Sequence, residues 1–258
     1  AGVDVLRINF SHGVTKDQAE RVAKVRAVAK KIGRDVAIMG DLQGGKIRIE
    51  SFVSSPIELI EGESFALDAA ISPNAGSREA VGVGYSNLAK EVAEGDVLLL
   101  DDGRVVLDVE KISGTRLHCR VRHGGKLSDN KGVNRQGGGL SAPALTNKDR
   151  ADIKIVAELG FDFLSISFAR DAADIDEARS LLRHAGSEAH VVAKIERAEA
   201  VENIEDIIDA SDVIMVARGD LAVEVGYAAM TGLQKALIRN ARARNCVSIT
   251  ATQMLESM

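Results

Sequence analysis

Cysteine is nearly absent: Cys119 and Cys246 are the only two among 258 residues, and they stand in no CxxC or metal-like spacing. Buried free thiols in a reducing cytosol are their plain reading. The five histidines (His12, His118, His123, His184 and His190) form no HxxxH pair, so the sequence offers no zinc site. Aromatic residues make up 3% with no Trp, too few for a base-stacking surface. No apolar run approaches the roughly 18 residues of a membrane span. The opening AGVDVLRINF lacks the basic start and cleavage site of a signal peptide. It also lacks an initiator Met and begins on a strand-like run, which suggests a fragment. A net charge of −5 gives no reason to expect nucleic acid or an anionic membrane as the main partner. What is present is ordinary: 45% hydrophobic and 28% charged residues, enough for a real core.

Two textures alternate along the chain. Residues 1–44 read as strand, helix, strand: Val3–Asn9, then a helix capped by Thr15 and ended at Gly33, then Asp35–Gly40. The rhythm resumes at 146–258. Helices Lys148–Leu159, Ala173–His184, Ala198–Ile208 and Ala228–Ala243 lead into strands Phe163–Phe168, His190–Ile195, Asp212–Ala217 and Cys246–Thr252. Short apolar strands alternating with amphipathic helices predict a parallel sheet covered by helices. Residues 45–145 differ, with short alternating runs such as KIRIESF, SFALD, RVVLDVE and RLHCRVR. Asp101-Asp102-Gly103 predicts a hairpin. This stretch reads as a small β-rich domain inserted between two βα units, and GVNRQGGGLSAPALTN as its flexible return. The βα portion, about 157 residues, falls short of the roughly 250 of a complete (β/α)₈ barrel. Pattern alone leaves a partial barrel and a six-stranded open sheet both standing, although no strand leads into a GxGxxG loop.

The strand ends carry the chemistry. They bear Arg7, Asn9, Ser11 and His12, then Asp41, Ser165 and Ser167, Lys194 and Glu196, Arg218 and Asp220, and Thr252. In a parallel barrel these ends share one face, so polar groups distant in sequence gather there. Glu196 and Asp220 are hard oxygen donors suited to Mg²⁺ or Mn²⁺. Lys194, Arg7 and Arg218 add positive charge. Carboxylates with cations suit phosphoryl transfer or enolate formation, both of which spread negative charge over oxygens. Gly40–Lys46 fits GxxxxGK, but Ile47 replaces the Ser/Thr that would hold Mg²⁺, and a strand-like run follows where a P-loop needs a helix.

Together RINFSHG (7–13), GDLQGGKIR (40–48), KGVN (131–134), VAKIERAEA (192–200), SDVIMVARGDLAVEVG (211–226) and ITATQMLESM (249–258) resemble the pyruvate kinase family. The resemblance implies a (β/α)₈ barrel with a β-rich lid inserted after its third strand, this chain running from the second strand to the seventh. It implies Glu196 and Asp220 as ligands of an essential Mg²⁺ or Mn²⁺, and Lys194 as the cation steadying the transferring phosphoryl group. Arg7 would grip the phosphate, the N–H groups of Gly219 and Asp220 would hold the substrate carboxylate, and Thr252 would sit where the enolate is protonated. Arg48 and Lys148 would face the nucleotide. Asn9, Ser11, Asp41 and the backbone oxygen of Leu42 match a monovalent-cation site. Lys46 resembles the potassium-independent branch, where an ammonium replaces bound K⁺ as local charge. The implied substrates are phosphoenolpyruvate and ADP, giving pyruvate and ATP in the cytoplasm, with a homotetramer expected of the full-length protein. Gly45 stands where the family has Pro. Ala222 replaces a family Gly and is expected to strain its loop if that position needs a positive φ. Two other readings of the residues stay open: a metal-dependent barrel lyase acting on phosphoenolpyruvate or pyruvate, and an inactive or binding-only fragment.

Overall fold

The computed structural model describes residues 2–11, 13 and 15–252. His12 and the Gln253–Met258 part of the last family string lie outside the described residues. The chain divides into two compact units. One comprises 1–45, 143–218 and 232–258, the other 46–142 and 219–231.

In the first unit, β1 (Val5–Asn9), β2 (Ala37–Asp41), β11 (Phe163–Ile166), β12 (His190–Ile195), β13 (Val213–Ala217) and β14 (Val247–Ala251) form one parallel sheet in that order. All six sequence-predicted strands are present, His190–Ile195 with the expected ends and the other five with ends moved by one or two residues. Each strand adds to the same edge as its predecessor, without the order reversal that defines a doubly wound sheet. Winding in one direction is barrel topology, so the sheet is a partial (β/α)₈ barrel, open at β1 and β14 among the described residues.

Helix α1 (Thr15–Ile32) connects β1 to β2, and its end at Gly33 uses a φ of 66°. Helix α3 (Asn147–Glu158) starts with a capping box, in which Thr146 and Asp149 satisfy each other's backbone N–H groups. Helix α4 (Ala172–His184) is capped by Asp171, whose side chain accepts from the Asp174 N–H. The helix expected over 198–208 is two pieces, α5 (Ala198–Glu202) and α6 (Ile204–Ala210). They break at Asn203, whose amide donates to the Arg170 carbonyl at 3.0 Å. Helix α7 (Arg218–Val225) follows β13 directly, and α8 (Tyr227–Ala243) completes the series. Helix α7 escaped the periodic reading because Leu221, Ala222, Val223 and Glu224 are all buried, leaving no polar face to mark a helix. Ala222 lies inside this helix and is not among the positive-φ residues. The expected strain at Ala222 is therefore corrected: helical φ suits its Cβ.

The second unit is built on β4 (Ser64–Asp68), β5 (Ala80–Gly82), β6 (Val97–Leu100), β7 (Val105–Ser113), β8 (Arg116–His123) and β10 (Val133–Arg135), ordered β10-β6-β7-β8-β4-β5. A separate pair joins β3 (Ile57–Leu59) to β9 (Gly125–Leu127), and the short α2 spans Leu88–Glu91. The β6–β7 turn places Asp101, Asp102 and Gly103 at φ 50°, 56° and 84°, as the hairpin prediction requires. Its core packs Phe65, Leu67, Leu98, Leu100, Leu107, Leu117 and Val121. KIRIESF forms isolated bridges at Arg48, Ile49 and Phe52 rather than a ladder strand. The supposed flexible return is partly sheet, because Val133–Arg135 pairs with β6. Residues Gly219–Thr231 pack with this unit although they follow β13 in the chain.

Candidate active site

The strand pleat decides which side chains of the first unit meet. Met39, Val192, Val213 and Met215 form a buried cluster with Phe163, Ile249 and Ala251 packed against it. Side chains two residues further along a strand lie on the same face. Asp41 therefore follows Met39, Ser165 and Ser167 follow Phe163, and Lys194 and Glu196 follow Val192. The apolar floor ends and a polar layer begins at the C-terminal ends.

That polar layer is tightly connected. Lys194 Nζ lies 2.7 Å from Glu196 Oε1 and 3.5 Å from Asp41 Oδ1, and donates to Ser167 Oγ at 2.8 Å. Arg7 Nε donates to Asp41 Oδ2 at 2.7 Å, while the Arg7 side chain stays 45% exposed. Glu196 is 1% exposed, and its Oε2 accepts the Phe168 N–H at 2.8 Å. Phe168 presents that N–H from a left-handed backbone, φ 57°. Two cations and two carboxylates thus share one patch with no net formal charge, its carboxylates buried and Arg7 at its exposed edge. Ser167 was seen in the sequence only as one more polar strand end. Its place between Lys194 and the Leu42 carbonyl, to which it donates at 2.7 Å, required the fold to be seen.

The expected monovalent-site residues are close in chain and sheet. The Asn9 Oδ1 accepts the Ser11 N–H at 2.8 Å, and Asn9 pairs in register with Asp41. Lys148, expected at the nucleotide, has its ammonium 2.7 Å from the Phe10 carbonyl and 2.5 Å from Asp152. Burial pushes the Asp152 carboxyl up in pKa against the pull of that ammonium. Thr252 stands just past β14, exposed, at φ 52°.

In the second unit the Lys46 ammonium lies 2.7 Å from Asp220 Oδ1 and 3.3 Å from Asp102 Oδ1. Burial disfavours the ammonium, but Asp220 and Asp102 beside it outweigh that, so its pKa is raised above the ordinary lysine value. The Lys46 stem runs over Gly132, where a Cβ would come within 2.6 Å of its Cε. Gly219 and Asp220 fall in the first turn of α7, where backbone N–H groups have no intrahelical acceptor. Asn134 Nδ2 donates to Glu224 Oε1 at 3.1 Å, fixing the far end of α7. Arg48 donates to the Asn130 carbonyl at 3.0 Å. No helix follows Gly40–Lys46, which removes the P-loop reading.

Among the described residues no three His, Cys, Asp or Glu side chains gather as a metal cage. A Mg²⁺ site does not require one, because that ion keeps several waters and takes one or two carboxylates plus substrate oxygens. Glu196 in the first unit and Asp220 in the second each carry carboxylate oxygens, the donor type this ion takes.

The fold and these strand ends define a (β/α)₈-barrel protein with an inserted β-rich unit. A family model described as "Pyruvate kinase, barrel domain" matches residues 1–258, and the chain belongs to that family. It is 53% identical to a pyruvate kinase of Haemophilus influenzae, over 100% of this chain and 55% of that protein. Pyruvate kinase II of Salmonella typhimurium is likewise 53% identical, over 100% of this chain and 54% of that protein. A pyruvate kinase of Mycobacterium tuberculosis is 40% identical over the same shares. The chain spans about half the length of the curated relatives it matches. No helix among the described residues is long and apolar enough to cross a membrane.

Proposed function

We propose that the protein to which this chain belongs is a cytoplasmic pyruvate kinase, transferring the phosphoryl group of phosphoenolpyruvate to ADP. The observation that carries this is the linked Arg7–Asp41–Lys194–Glu196 patch, with its carboxylates buried, in a chain of this family. Glu196 and Asp220 would hold Mg²⁺ or Mn²⁺, which would supply Lewis-acid cover for phosphate and enolate oxygens. The patch around Glu196 is formally neutral, so a dication there turns it positive and suited to an anionic substrate.

Arg7 orients the phosphate through its exposed guanidinium edge, with its Nε held by Asp41. Lys194, paired with Glu196, covers the charge of the phosphoryl group as it leaves the enolate oxygen. The first-turn N–H groups of Gly219 and Asp220 receive the substrate carboxylate. Thr252 lies where a proton reaches the methylene carbon. Arg48 and Lys148 face the nucleotide. Assembly as a homotetramer is part of the same reading, as is the absence of nucleic acid or membrane as partner.

Potassium is not required in this reading. Several oxygens that would coordinate it already receive protein donors: Asp41 from Arg7, the Leu42 carbonyl from Ser167, and Asn9 from the Ser11 N–H. Lys46 provides the local positive charge.

The test is ATP formation from phosphoenolpyruvate, ADP and Mg²⁺ by the full-length protein, with and without K⁺ at fixed ionic strength. Turnover without K⁺ supports the whole reading. Turnover only with K⁺ removes the role of Lys46, and no ATP from a folded protein removes the enzyme.

A further inference from the structure

Asp149 belongs to α3, is 0% exposed, and has its two carboxylate oxygens committed to different parts of the chain. Oδ2 accepts from the Thr146 backbone N–H at 2.8 Å and from Thr146 Oγ1 at 2.5 Å. Oδ1 accepts the Gly44 N–H at 3.1 Å, a bond across 105 positions of sequence. A capping box needs only the first set. The second is an additional use of a fully buried charge, and a buried carboxylate is tolerated only where donors surround it.

The two partners bracket the β-rich unit in the chain. Gly44 stands two residues before that unit begins at Lys46, and Thr146 stands four residues after it ends at Ala142. Gly44 is held from its other side too. Its φ is 70°, and a Cβ would fall 2.8 Å from the Ser167 Cβ and 2.9 Å from the Ser167 carbonyl oxygen. The same Ser167 accepts from Lys194. One carboxylate on a capped helix therefore fixes the outgoing and returning arms of the insertion, next to the layer that holds Lys194.

We infer that Asp149 is a positioning residue: it pins both arms at the barrel rim, and this fixed stem keeps water from the phosphoryl group. This rests on the pyruvate kinase reading. With the stem released, water reaches the phosphoryl group and phosphoenolpyruvate is hydrolysed in place of transfer: water attacks phosphorus, the phosphorus–oxygen bond to the enolate breaks, the enolate takes a proton at its methylene carbon, and phosphate and pyruvate leave without ATP.

The experiment uses the full-length protein as wild type, Asp149→Asn and Thr146→Ala, and reads pyruvate and ATP separately together with amide exchange at Gly44. Asparagine has one acceptor oxygen and cannot serve both arms, whereas Thr146→Ala weakens the helix cap and leaves the Gly44 bond. The expected result is ATP equal to pyruvate in wild type and Thr146→Ala, with ATP falling below pyruvate in Asp149→Asn. Gly44 exchange should be at least about tenfold faster in Asp149→Asn alone. Equal loss of coupling in both variants, or full coupling in Asp149→Asn, overturns the inference. Should Asp149→Asn not fold, wild-type Gly44 decides: an amide exchanging as fast as an open loop overturns it, and one as protected as the interior of α3 upholds the clamp. A wild type that makes no ATP defeats the pyruvate kinase reading instead, and leaves the exchange result standing.

Discussion

Lys194 and Glu196, two residues apart at the end of β12, pair at 2.7 Å with the Glu196 side chain 1% exposed. Removing one partner leaves the other charged and dry, which costs about 3–5 kcal/mol, whereas removing both costs much less. Lys194→Met is therefore expected to lower the denaturation midpoint of the full-length protein strongly. The double variant Lys194→Met/Glu196→Gln should recover part of that loss while staying inactive. A double variant as unstable as the sum of its singles would show that the two side chains do not interact.

Lys46 yields a prediction with a pH signature. Its pKa is raised in the fold because Asp220 and Asp102 outweigh burial. A folded pKa above the unfolded value means that the pair's stabilisation is fully present below about pH 10 and fades as pH climbs through the folded pKa. Lys46→Met should be destabilised at neutral pH and approach wild type under alkaline conditions. Lys46→Glu should impose a K⁺ requirement on ATP formation, read as turnover at constant ionic strength. Gly132→Ala would put a Cβ 2.6 Å from the Lys46 Cε and 3.3 Å from its Nζ, so it should loosen the Lys46–Asp220 contact and lower stability at neutral pH in the same direction as Lys46→Met.

The thiols separate by environment. Burial pushes Cys119 up to about 12, and Cys246, partly exposed, is raised less. Near pH 8 only roughly one Cys119 in ten thousand is a thiolate, and access is blocked as well. Alkylation followed by peptide mapping should therefore mark Cys246 in the native protein and reach Cys119 only after unfolding. Fast native labelling of Cys119 would mean that the β-rich core opens readily.

What could be read from the residues followed from periodicity and from charge at strand ends. Phe163–Phe168 and His190–Ile195 are apolar runs between helices, so their strands were legible, and Lys194 and Glu196 were visible as polar ends. Winding direction was not legible, because strand order in a sheet leaves no mark in a single run. Helix α7 was hidden by the burial of four successive residues, Leu221 to Glu224, and the break at Asn203 by a side-chain bond to Arg170 that lies 33 positions away. The double use of Asp149 was hidden for the same reason. A Thr-x-x-Asp spacing announces the cap, but nothing local announces Gly44.

Gly44→Ala isolates that last relationship. The new methyl would need to occupy space 2.8 Å from the Ser167 Cβ and 2.9 Å from its carbonyl, at a φ of 70° that alanine disfavours. Left-handed backbone costs a non-glycine residue about 1–2 kcal/mol, and overpacking adds about 1–3 kcal/mol. Relief by local shift moves the Gly44 N–H from Asp149, or pushes Ser167 and with it the Lys194 ammonium. Either route should damage catalysis out of proportion to the modest size of the change. Gly45→Ala, one residue later, serves as the comparison. If Gly44→Ala folds with wild-type stability and turnover, the close approach at Ser167 does not constrain the arm, and the stem is looser than these distances require.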